Sequence, residues 1–328
     1  MGMEQQLSFA ANEWHGKKKQ TKREKFLARM DALVPWARLQ ALIEPHYPKG
    51  TRGRPPQGVE RMLRVYFLQQ WYALADEALE DAIYDSQAMR LFVGIDLSRE
   101  GVPDATTLLK FRHLLERHDL TRGILAEVNT VLGAQKCLMK EGTIVDATII
   151  AAPASTKNRE RQRDTEMHQT KKGNQWYFGM KAHIAVDAQS GLVNRVIGTA
   201  ANVSDISQAH GLLHGREKDV FADAGYLGAE KRPEIASRPT QPRWHIAAKR
   251  QQIRALAEGP LKICRQQLER LKSQVRSRVE HPFHIVKNLF RHRKVRYRGL
   301  AKNTAQLHTL FALANLILSE RKLAWNVY

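Results

Sequence analysis

The chain has 328 residues, 43% of them hydrophobic, enough for a substantial core and, by length, for about two domains. Its formal net charge of +20 calls for a polyanionic partner or an acidic membrane surface. Cys137 and Cys264 lie far apart and form no CxxC pair, which excludes a disulfide framework and a zinc knuckle, and no apolar run approaches the roughly 20 residues of a membrane span. Lys17 to Lys25 is basic where a secretory signal would be apolar, and the opening Met-Gly lacks the Ser or Thr of a myristoylation signal. The expectation is a soluble protein of a reducing compartment, associated with nucleic acid.

Residues 1–50 are basic and helical in pattern, ending at Pro45 and Pro48. Lys17 to Lys25 reads either as a phosphate clamp or as a loose tail. Thr51-Arg52-Gly53-Arg54-Pro55-Pro56 breaks the chain. Arg52-Gly53-Arg54-Pro55 resembles an AT-hook core, whose arginines enter a narrow minor groove, and equally a loop whose prolines start the next helix. Met62, Val65, Tyr66, Leu68, Trp71 and Tyr72 then recur at helical spacing, and Trp71, Tyr72 and Phe92 fit a core better than a base-stacking platform. Short helices are predicted at Asp76–Tyr84 and Gln87–Val93, followed by one capped by Asp104 and reaching His118 and one capped by Thr121 and reaching Leu132. Residues 1–135 are thus expected to form an all-helical DNA-binding region, and 136–328 a second domain ending in basic helices. The pattern changes at Gly142: Thr143 to Ile150 is β-branched and strand-like. A charged loop from Ser155 to Gln175, with Lys171 and Lys172, is long enough to suggest DNA contact, with disorder as the alternative. Strands follow at Trp176–Asp187 and Leu192–Thr199, joined by turn chemistry, then a helix capped by Ser204 or Asp205, a short strand Asp219–Asp223, a short helix Ala229–Ser237 and a strand Trp244–Ala248. A long basic helix is predicted from Gln251 towards Arg291, with Pro282 inside it. The order β-β-β-α-β-α-β-α matches an α/β, ribonuclease-H-like fold.

Phosphodiester chemistry by two metals needs carboxylates converging on ions about 4 Å apart, and carboxylates suit hard Mg²⁺. Asp146 lies within an otherwise apolar strand, where a charge is costly unless it is paired or metal-bound. Asp223 ends the run Val220-Phe221-Ala222, beside Asp146 if the strands are parallel neighbours, although a strand-end turn also explains it. Asp187 is assigned to a hairpin turn and Asp205 to a helix cap. Periodicity does not choose a third acid: Glu280 and Glu269 each have a basic residue four before and seven after. Between Arg243 and Lys302 there are 17 Lys and Arg against three Glu, a net +14, so this stretch, including Arg291, Arg293 and Lys294, is expected to face phosphates. His168, His183, His281 and His284 have no zinc-like spacing. His281 and His284 suit phosphate contacts.

Arg276-Ser-Arg-Val-Glu280-His-Pro-Phe-His-Ile-Val-Lys287 resembles the Y-x2-R-x3-E-x6-K signature of bacterial DDE transposases, with Ser273 where the signature has Tyr. Lys294-Val-Arg-Tyr-Arg-Gly-Leu-Ala-Lys-Asn303, Gly142-Thr-Ile-Val-Asp-Ala-Thr148, Gly173-Asn-Gln-Trp-Tyr-Phe-Gly-Met-Lys-Ala-His183 and Ala222-Asp-Ala-Gly-Tyr226 resemble further segments of the insertion-sequence-five family. In the helical region Arg54-Pro-Pro, Glu60-Arg-Met-Leu63, Val102-Pro-Asp-Ala-Thr106 and Phe111-Arg112 do the same. The resemblance implies Asp146, Asp223 and Glu280 as catalytic metal ligands, and Arg276 and Lys287 as residues that support the acid and hold DNA near the cut. It further implies two Mg²⁺ ions, replaceable by Mn²⁺, and a bacterial cytoplasmic, nucleoid-associated enzyme. That enzyme would act as a homodimer on double-stranded DNA, namely the element's terminal inverted repeats and target DNA. The competing expectations are a catalytically inactive DNA-binding regulator derived from such a transposase and a nuclease without joining activity.

Overall fold

A computed structural model of the chain describes residues 17–50, 55–138 and 141–325; Arg52 and Arg54 lie outside the described residues. The chain divides into two compact units, one reaching Leu114 and the other starting at Leu115.

The first unit is helical: α1 (Lys22–Leu33), α2 (Trp36–Ile43), α3 (Val59–Tyr72), α4 (Asp76–Asp85), α5 (Gln87–Val93) and α6 (Ala105–Arg117), whose last turn crosses the boundary. Thr21 starts α1 with a capping box, its hydroxyl accepting from Glu24 N at 3.2 Å while Glu24 accepts from Thr21 N at 2.7 Å. Lys17 pairs with Glu24 at 2.6 Å, so this basic stretch is folded onto a helix start instead of trailing as a tail. Met62, Leu63, Val65 to Leu68 and Trp71 of α3 are all buried, and Trp71 meets Phe26 and Phe92 ring to ring. Those aromatics are core, as their helical spacing implied. Asp104 caps α6, accepting from Thr107 N at 2.6 Å.

In the second unit the sequence boundary at 135 separates pieces that pack together. Helix α7 (Leu120–Ala134) lies against the C-terminal helix α13 (Leu300–Trp325). Asp119, at φ 52°, precedes α7, so Thr121 is buried inside its first turn and is not its cap. The strands are β1 (Gly142–Ala151), β2 (His168–Lys172), β3 (Gln175–Asp187), β4 (Val193–Ala200), β5 (Asp219–Ala222) and β6 (Arg243–Ile246). β3 is antiparallel to β1 (Asp146 opposite Ile184) and to β4, whereas β1, β5 and β6 are parallel. The main order is therefore β4-β3-β1-β5-β6, a mixed sheet, with β2 pairing only the outer end of β3. Val145, Ala185, Val220 and Ala222 pack on Ala209, Leu212 and Leu213 in and just after helix α8 (Asp205–Leu212) and on Tyr226 and Ile235.

Two expectations are corrected here. The long loop contains β2, and its acids are anchored: Gly299 N donates to Asp164 at 2.7 Å and Leu300 N to Glu166 at 2.6 Å, which satisfies amides at the start of α13. The single basic helix is broken into α10 (Arg250–Arg254), α11 (Pro260–Arg276), a 3₁₀ turn Ser277–Val279, α12 (Glu280–His284) and a π turn Ile285–Leu289. Short helix α9 (Pro233–Ala236) precedes β6. Pro260 and Pro282 each sit in the first turn of their helix, where a missing N–H costs little. Pro282 thus marks a helical restart, not a kink in a helix interior. Among the described residues no helix is long and apolar enough to cross a membrane.

Candidate active site

Asp146 stands in mid-β1 and Asp223 follows β5. The strand register pairs Ile144 with Phe221, and two more residues along parallel strands bring Asp146 beside Asp223. Directly opposed residues project to one face of a sheet, so both carboxyls share a side. Each has one local backbone partner: Ala147 N donates to Asp146 at 2.7 Å, and Gly225 N to Asp223 at 2.9 Å. The bond to Gly225 is the strand-end turn that the sequence offered as the alternative reading of Asp223, and it leaves the second carboxylate oxygen for other use. Burial pushes Asp146 up to about 6. The Ala147 amide opposes that shift, Asp223 and Asp205 reinforce it by repulsion, and Arg276 counters it.

Those effects define the neighbourhood. Arg276, at the end of α11, is close enough to stabilise the Asp146 carboxylate, and its Nε is buried with no hydrogen-bond partner among the described residues. The hydroxyl of Tyr226 is buried and likewise unpartnered. Burial first, then the charges of Asp205, Asp146 and Asp223, hold its phenol well above the usual tyrosine range. Asp205 was assigned to a helix cap, but Ser204 holds the N-cap position and Asp205 accepts from Lys181 Nζ at 2.9 Å. His183, also buried, lies 2.8 Å from the Thr199 hydroxyl through Nε2, and burial pushes its pKa down. Asp205, Lys181 and Tyr226 escaped sequence reasoning as parts of one neighbourhood. Lys181 and His183, two apart, share one face of β3, but they stand opposite Ile149 and Ala147, so their spacing does not mark the face of Asp146.

Glu280 begins α12 and is exposed. Among the described residues no group of three or more His, Cys, Asp and Glu side chains stands close enough to hold a metal ion. In this conformation Asp146 and Asp223 approach each other, and Glu280 is not gathered with them. The donor chemistry still suits a hard divalent cation: carboxylate oxygens, one of them held towards its neutral form by burial and by a like charge. Glu269, which periodicity left equal to Glu280, is a strut. It accepts from Ala248 N at 2.9 Å and Lys272 Nζ at 2.8 Å, and Lys272 also reaches Ile246 O at 2.9 Å. Burial opposes its charge, but Lys272 and the Ala248 amide outweigh that and hold it below the usual carboxylate range.

Lys287 is joined to the same strand as Asp146. Its Nζ donates to the Thr148 hydroxyl at 2.6 Å and to Ile149 O at 2.7 Å, and Thr148 shares the Asp146 face of β1. Burial lowers the Lys287 pKa, and the charges of Lys172 and Arg293 lower it further, which brings three of the predicted basic residues together. Arg293 and Val295 tie their backbone to Ala151 at 3.2 and 2.9 Å, with Lys294 bridged beside them. Lys171, Lys294 and Arg291 are exposed, the last at φ 55°. His281 and His284 are exposed, and Asn288 donates to His284.

Residues 138–316 match the family model described as Transposase DDE domain, and residues 15–114 match one described as Transposase domain (DUF772). The first match takes in Asp146, Asp223, Arg276, Glu280 and Lys287, and the second corresponds to the first compact unit.

Proposed function

Since this chain belongs to the transposase DDE domain family, we propose that it binds the ends of its own insertion sequence, cleaves them by metal-dependent hydrolysis and joins the freed 3′-hydroxyl ends to target DNA. Within that family we assign it to the insertion-sequence-five group, with a ribonuclease-H-like catalytic domain, acting as a homodimer on DNA. What supports the reading most is the approach of Asp146 and Asp223 at neighbouring parallel strands, with Arg276 and Lys287 beside them. In the first step water adds to phosphorus, the P–O3′ bond breaks, and the element keeps a 3′-hydroxyl. In the second that hydroxyl attacks a target phosphodiester and releases a target 3′-hydroxyl. Two divalent cations, Mg²⁺ or Mn²⁺, would be held by Asp146 and Asp223 with Glu280 and would supply charge neutralisation of the reacting phosphate. Arg276 balances the acid pair, Lys287 holds a positive charge at fixed depth on β1, and Lys172 and Arg293 extend that charge outward for phosphate contact.

The test uses purified chain and duplexes made from the DNA on either side of its gene. Mg²⁺-dependent nicking at the element boundary, and joining to a plasmid target, are expected for wild type and absent from Asp146→Asn and Asp223→Asn, both still folded and DNA-bound. Cleavage by either variant, or none by the wild type on any flanking duplex, overturns the reading.

A further inference from the structure

Beyond the phosphate contact given to Lys172 at its end, the β2–β3 ribbon carries features with no role so far. Two residues, Gly173 and Asn174, join its strands, and Gly173 at φ 61° takes the left-handed conformation such a tight loop demands. Lys171 stands directly opposite Trp176, and Gln169 opposite Phe178, so these four side chains share one face. Trp176 is 64% exposed, more than Tyr84 at 43%, the other exposed large aromatic among the described residues. Two places along, the Arg163 guanidinium lies 5.5 Å from the centre of the half-buried Phe178 ring. The face therefore carries an indole open to solvent, a second ring behind it and two cations. The charge of Lys172, at the end of β2, is felt at Lys287, so the end of the ribbon lies near the residue attached to β1 beside Asp146.

A lone exposed apolar side chain needs no explanation. Here the aromatic is fixed on a paired strand, with a lysine directly across from it, on an arm whose neighbours are basic. Aromatic faces interleaved with basic residues suit an unpaired nucleic-acid strand, because every base has a face to stack and every nucleotide a phosphate to pair. A base still stacked inside a duplex cannot offer that face.

We propose that the ribbon is a binding surface for an unpaired DNA strand, with Trp176 stacking on a base and Lys171 and Arg163 pairing flanking phosphates. The inference rests on the reading of the chain as a DNA-acting enzyme and adds to it a preference for opened ends. The probes are a 20-base-pair duplex with blunt ends and the same duplex carrying a three-nucleotide single-stranded end, in Ca²⁺ to prevent cleavage. Wild-type chain, Trp176→Ala, Trp176→Phe and Lys171→Gln are titrated against each by fluorescence anisotropy. Wild type should prefer the single-stranded end, and Trp176→Ala should lose about tenfold or more on that probe alone. Trp176→Phe should retain most of the preference, and Lys171→Gln should lose part of it. Thermal melting should be unchanged in all three variants, because the side chains are exposed. If Trp176→Ala keeps the wild-type ratio between the probes, the ribbon inference fails while the transposase reading stands. If the wild type binds neither probe, both fail.

Discussion

Asp146 shows how one side chain ties stability to the proposed chemistry. Its folded pKa of about 6 lies above the 3.8 of an unperturbed carboxyl, so the folded state binds the extra proton between those values. Its contribution is present below pH 3.8 and lost as pH rises through 6, leaving a destabilising charge at pH 7.5. Asp146→Asn should therefore be more stable than wild type in EDTA at pH 7.5, by about 1–2 kcal/mol. Mg²⁺ should raise the melting temperature of wild type and not of the variant; urea and thermal unfolding in both buffers check this, and an equal Mg²⁺ response in the two proteins counts against it. The two glutamates that periodicity left tied also separate. Glu269→Gln should lose about 1–2 kcal/mol because it weakens charge-assisted bonds to Lys272 and Ala248 N. Glu280→Gln, at an exposed position, should keep its stability and lose metal-dependent cleavage, while metal-free DNA binding holds or improves. An active Glu280→Gln beside an inactive but fully stable Glu269→Gln would reverse the assignment. His292 supplies a pH dependence. Burial first, then Arg296 and Lys287, push it down to about 4 from 6.5. Its stabilising contribution is full above pH 6.5 and is lost as pH falls towards 4, because the unfolded chain then binds the proton more readily. Relative to His292→Leu, wild type should lose up to about 3 kcal/mol between pH 7 and pH 4 in urea titrations. A constant difference across that range would show that His292 does not titrate this way.

At the scale of elements, α13 is what sequence patterning hid. Its apolar residues, among them Leu307, Leu310, Phe311, Leu313 and Leu316, are spread round the helix, and Thr309, Asn315 and Ser319 are buried with them. A helix covered on all sides has no amphipathic period to read. Asn315 fixes its position: its Oδ1 accepts from Val193 N at 2.8 Å, and its Nδ2 donates to Val193 O and to Asn129 Oδ1, each at 2.8 Å. The start of β4, α7 and α13 thus meet at one buried amide. Asn315→Ala should cost about 3 kcal/mol by chemical denaturation, since it leaves the Val193 amide and the Asn129 side chain short of partners and opens a cavity. A loss under about 1 kcal/mol would mean that water replaces the side chain. The ribbon's turn is legible in the sequence, since Gly173-Asn174 has the spacing of a two-residue hairpin, but the polar, charged run His168–Lys172 hides the first strand.

Across the whole molecule the excess of positive charge sets how DNA binding responds to salt. With a net charge of +20, and +14 of it between Arg243 and Lys302, the logarithm of the binding constant should fall linearly with the logarithm of salt, at a slope near −0.9 per phosphate neutralised. Six contacts would weaken binding about 10³-fold between 50 and 200 mM salt. Anisotropy titrations on blunt duplex measure the slope, and a nearly flat response would remove the phosphate-clamp role from this stretch.

The sequence by itself determined the helical beginning, the switch to strands at Gly142, the order of every strand except β2, and the two acids at neighbouring strand positions. These follow from local composition, from alternation along each strand and from the cost of a charge inside an apolar run. Tertiary structure decided the rest. It grouped α7 with the sheet, because a helix end in sequence does not say which surface buries the helix. It broke the basic segment at Pro260 and Pro282 into successive helices, because a proline is cheap at a helix start and costly inside one. It turned Glu269 into a strut while Glu280 stayed exposed, a difference between equal spacings that depends on what each helix face meets across space. It also brought Asp205, paired with Lys181, and Tyr226 within electrostatic reach of Asp146 from separate elements, because charges act through distance, which the order of residues does not record.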